Sequence, residues 1–106
     1  MKPSTTNETN DAVLRHTEAQ LEASILSLFG GFPSLCGFSV QERSEGSSAT
    51  LEGGLYLAAV GLYPLPGVEE TKLIYEEIRL TLLELLDERP EVRALLSGRT
   101  FARALH

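Results

Sequence analysis

The chain reads as an α+β protein: a two-layer sandwich in α-β-β-α order with a short C-terminal helical arm. Three observations predict it. An apolar stripe at helical spacing precedes Gly30-Gly31, alternating apolar segments fill 36–63, and a long helix over 68–89 is stopped by Pro90. A two-stranded sheet is marginal alone in water. The reading therefore extends the antiparallel hairpin to a four-stranded sheet by dimerisation, which also removes exposed edges.

Residues 1–10 are polar and rich in Thr and Asn, and are read as a disordered lead to a single domain over 11–106. Asn10 or Asp11 caps the first helix. Leu14, Leu21, Ile25 and Leu28 form its stripe, with Thr17 and Ser24 on the same side. Gly30-Gly31 is expected to end it in the left-handed cap conformation, ahead of Pro33.

From Cys36 to Arg43 the period becomes two, with Phe38 and Val40 opposite Ser39, Gln41 and Arg43. The cluster 44–48 is read as a turn. A second strand is expected over 51–63, and both of its alternating sets are apolar: Leu55, Leu57, Ala59 and Tyr63 against Tyr56, Ala58, Val60 and Leu62. Such a strand is normally covered on both sides or flanked on both edges. Gly53-Gly54 near its start and Gly61 near its end suggest a bulge or a close backbone approach.

The long helix opens with Glu69 and Glu70, which complement the positive helix N-terminus. Ile74, Ile78, Leu82, Leu85 and Leu86, with Tyr75 at the margin, form the face toward the sheet. Leu73, Leu80 and Leu83 lie on the opposite, acidic side at spacings of seven and three, the pattern of a helix-packing seam. After Pro90, a short turn carries Val92, Leu95 and Leu96. Thr100 is then expected to cap a last helical turn bearing Phe101 and Leu105.

Charge narrows the function. Fifteen acidic residues against nine basic ones give a net charge of −6 and a pI near 4.8. A nucleic-acid backbone recruits Lys and Arg, and an anionic membrane surface does the same, so neither is an expected partner. No run reaches the roughly 18 to 20 apolar residues of a membrane helix. A single cysteine precludes an internal disulfide, the polar start lacks a signal-peptide core, and the expected location is the cytoplasm. The charge is also uneven. From Arg89 onward, four arginines face Glu91 alone, while everything before carries five basic and fourteen acidic residues. A basic tail on an acidic body suggests a pairing within or between subunits.

Chemistry is sparse. Cys36 has no His in a spacing that would activate it, and His16 and His106 are scattered, so no catalytic set, metal site or cofactor is expected. The glycine pairs lack a phosphate-loop context. Tyr56, Tyr63, Tyr75 and Cys36 are candidates for a small-ligand pocket between sheet and long helix. Leu73, Leu80, Leu83 and Phe101, with Arg99 and Arg103 as clamps for an anion or an acidic helix, are the candidate interface. The expected function is a small acidic interaction module, an adaptor, regulatory subunit or assembly chaperone, homodimeric and possessing no catalysis of its own. The alternative is a ligand-binding protein or small enzyme using the tyrosine pocket.

Overall fold

Phe29 sits four residues before Pro33, so its carbonyl oxygen lacks the N–H that would normally continue a helix. Much of the architecture follows from how that end is completed. The computed structural model describes residues 4–103, with side chains from Ala12 onward. Its order is α1 (Ser4–Gly31), β1 (Leu35–Gln41), β2 (Ser47–Thr50), β3 (Tyr56–Leu62), α2 (Val68–Glu88), α3 (Val92–Leu96) and β4 (Thr100–Ala102). These elements make an α+β fold.

α1 starts at Ser4, inside the segment read as a polar lead. No proline or glycine interrupts it before Gly30. Thr17, Leu21, Ile25, Leu28 and Phe29 are buried, whereas Val13 and Leu14 are exposed. The expected stripe thus meets the core only from its second half. Neither Gly30 nor Gly31 has a positive φ, contrary to the expected left-handed cap. The end is completed from a distance instead. Arg103 Nη2 donates to Phe29 O at 2.6 Å and to Phe32 O at 2.8 Å, and its Nε donates to Leu35 O at 3.0 Å.

The sheet is four-stranded and antiparallel in the order β2-β3-β1-β4, and one chain supplies all four strands. Two features separate it from the hairpin the sequence suggested. The first is Gly53-Gly54, which is a turn and not a bulge. With φ of 59° and 83°, and Leu55 N donating to Glu52 O at 3.1 Å, these glycines make the tight primed turn whose twist matches a hairpin. They separate β3, the later part of the expected strand, from β2, which forms ahead of that strand and begins where the cluster 44–48 was read as a turn. The second is Thr100–Ala102, which pairs with β1 as a strand and does not form a helical turn. Arg99 O accepts from Val40 N, and Arg103 N donates to Cys36 O, locking this segment in place. Leu105 lies outside the described residues.

A bulge explains the doubly apolar strand. Ser39 pairs with Ala58 and Gly37 with Gly61, so β3 carries one extra residue there, and Ala59 takes a φ of 53°. Before the bulge Leu55 and Leu57 are buried; beyond it Val60 and Leu62 pack on the same core. The two sets change places along the strand and serve one face. β1 has the matching irregularity at Cys36, between the buried Leu35 and Phe38.

α2 buries Ile74, Ile78, Leu82 and Leu85, and these join Leu21, Phe38, Val40, Leu57, Val92 and Leu96 in a single cluster. Ser39, Gln41, Thr50, Thr100 and Ala102, which alternate with the buried strand residues, remain at least partly exposed. The sheet therefore has one face on the core and one toward solvent. Arg89 ends α2 in an extended conformation, as a residue before proline must.

Candidate functional site

The segment after Pro90 folds back along α1. Arg89 Nε donates to Gln20 Oε1 at 2.6 Å, Thr17 Oγ1 donates to Glu91 Oε2 at 3.3 Å, and Arg99 Nη1 meets Glu18 Oε2 at 3.3 Å. Arg103 completes the row at the helix end. Three of the four arginines that make the tail basic thus engage α1 of the same chain. The fourth, Arg93, stands over the β2–β3 turn, where a β-carbon on Gly53 would lie 2.9 Å from its Nη1.

This return leaves a groove of about 550 Å³ between α1 and β4. Ile25, Leu26, Phe29 and Phe101 form its apolar part, with Arg99 and Arg103 along the strand side. Leu26 is 70% exposed although its neighbours Ile25 and Phe29 are buried. The Arg99 guanidinium lies 5.3 Å from the Phe101 ring centroid, and that of Arg103 lies 5.2 Å from Phe29. Both arginines therefore flatten against the aromatic wall and hold its shape. Phe101 itself packs on Phe38, with ring centroids 5.2 Å apart.

β4 is the outer strand on this side. Arg99 and Arg103 direct backbone groups toward β1. By the alternation of an antiparallel pair, Thr100 and Ala102 direct theirs away from it. Beside the groove runs a short edge with hydrogen-bonding groups open to an added strand.

The four residues considered for a small-ligand pocket are not gathered in one place. Tyr56 pairs with Gln41 at one end of β1, whereas Cys36 lies beside Gly61 and Leu62 at the other. Tyr63 is close to the Cys36 end, its N–H donating to Ser34 O, but its side chain is 78% exposed. Tyr75 lines a separate groove between α2 and β2, with Ala49 and Arg79. Cys36 is exposed, and its Sγ lies 3.6 Å from Ser34 O.

Of the interface candidates, Phe101, Arg99 and Arg103 share the α1–β4 groove. Leu73 and Leu80 are exposed together on the outer side of α2, and Leu83 packs against the core margin. Sequence reasoning missed Ile25, Leu26 and Phe29 as groove residues. The one signal was Leu26, an apolar residue standing off the helix stripe.

Among the described residues no group of three or more His, Cys, Asp or Glu is arranged to hold a metal ion. Among the same residues no helix is long and apolar enough to cross a membrane. No protein-family model matches the chain, and comparison with curated proteins and with solved structures finds no match.

Proposed function

We propose that the chain is a protein-interaction module that receives an extended segment of a partner along β4. The observation that carries this reading is the juxtaposition of an open strand edge with an apolar groove. An added strand draws affinity from main-chain hydrogen bonds to Thr100 and Ala102. Specificity comes from a side chain seated against Leu26, Phe29 and Phe101. The partner is an extended peptide with an apolar residue facing α1. Pairing of β4 with β4 of a second copy is the other occupant this edge admits. The reason for dimerisation drawn from a two-stranded sheet is gone, since one chain completes the sheet.

The test is selection of displayed random peptides against the protein, followed by titration of the selected peptides with A102P and L26D. Proline at 102 removes an outward N–H while leaving the bonds to β1, a position where an edge strand tolerates it. Binders that lose at least tenfold in affinity to both folded variants support the reading. A selection without binders, or binders indifferent to A102P, overturns it. Sedimentation over a concentration series separates the second occupant: a dimer that A102P dissociates assigns the edge to another copy.

A further inference from the structure

A second docking surface lies on α2, independent of the β4 groove, and we propose that it takes a cationic amphipathic helix of another protein. Leu73 and Leu80 are 51% and 43% exposed, two turns apart on one ridge of the helix. Helical spacing sets Glu77 and Glu84 along one flank of this ridge and Glu69, Glu76 and Asp87 along the other. Glu76 pairs with Arg79 at 3.3 Å. Glu69, Glu77, Glu84 and Asp87 have no cation within ion-pair distance among the described residues.

The reason is visible in the rest of the fold. Arg89, Arg99 and Arg103 of the basic tail are engaged away from this ridge, by Gln20, Glu18 and the carbonyls of Phe29 and Phe32. The ridge therefore presents two leucines inside an acidic rim in which Glu76 alone, among the described residues, has an ion-pair partner. A second copy docking ridge to ridge would set these carboxylates against their equals, which is unfavourable. Lys or Arg around an apolar strip complements them.

Shape agrees with a helix as the occupant. Between α1 and α2 runs a groove of about 420 Å³, with Ser24, Ser27 and Gly31 on one side and Glu77 and Glu84 on the other. Small residues let a helix backbone approach closely, and leucines seven apart match the repeat of a packed helix.

The probe is a synthetic helix of leucine and lysine in a heptad pattern, with a leucine–glutamate helix as its counterpart, titrated by calorimetry or anisotropy. The Leu–Lys helix is expected to bind. The affinity should fall at least tenfold in L73S/L80S and in E77Q/E84Q, and decline as salt shortens the screening length below about 10 Å. Leu73, Leu80 and Glu84 are exposed and Glu77 is half-buried at the groove, so none belongs to the core, and circular dichroism checks that each variant is folded. Absence of binding, or binding unaffected by loss of the two leucines, overturns the proposal. A wild-type dimer that L73S/L80S converts to monomer overturns it as well, since the ridge is then covered by a second copy.

Discussion

A β-carbon on Gly37 would lie 2.7 Å from the carbonyl oxygen of Phe101, closer than a β-carbon comes to such an atom in real structures. Gly37 faces Ala102 across the β1–β4 ladder, and its bare backbone is what lets β4 approach. G37A is expected to destabilise the fold by about 1–3 kcal/mol, the usual range for an overpacked site. Hydrogen exchange should show the loss concentrated at Phe101 and Arg103. Unchanged protection of those amides would mean that β4 does not depend on this approach.

Arg103 does work that lysine cannot imitate. Its planar fork reaches three carbonyls in two directions, whereas an ammonium is a single point of donation. R103M should cost roughly 2 kcal/mol in a denaturant titration, because the Phe29 carbonyl has no helical donor to fall back on. R103K should recover only part of it. Full recovery by lysine would show that charge beside the helix end, and not the hydrogen-bond set, is the larger contribution.

The β2–β3 turn can be improved. Asn tolerates the left-handed conformation that Gly53 adopts and restricts the unfolded chain more than glycine does. The new β-carbon would meet only the end of the flexible Arg93 side chain. G53N is expected to raise stability by about 0.5 kcal/mol, read as an increase in Tm. G53V should do the opposite, since a β-branched residue is strained at that φ.

Cys36, exposed in its bulge, should react with a maleimide in the native state with the rate unchanged by subdenaturing urea. Acceleration by urea would indicate that the thiol is reached only through local opening. C36S is expected to leave stability within about 0.5 kcal/mol, as for other exposed substitutions.

The sequence makes the helical faces easy to read. Ile74, Ile78, Leu82 and Leu85 repeat at three and four residues, a pattern only a one-sided helix requires, and Leu73 and Leu80 stand out against an acidic background. The sheet is harder for a definite reason. Alternation is a parity rule, and the extra residue near Ala59 reverses parity midway, so a strand with one buried face looks apolar on both. β4 escapes altogether because three residues are too few to show a period. Phe101 and Leu105, four apart, mimic a helix instead. The groove escapes because its walls, Phe29 and Phe101, are joined only by tertiary contacts to Phe38.

The return of the chain onto its own first helix also constrains the order of events during synthesis. Until residues 99–103 have emerged from the ribosome, Phe38 lacks the ring stacked on it, β1 is a bare rim, and the α1 terminus has unmet carbonyls. The residues before them must wait, collapsed yet incomplete, for β4 to close the structure.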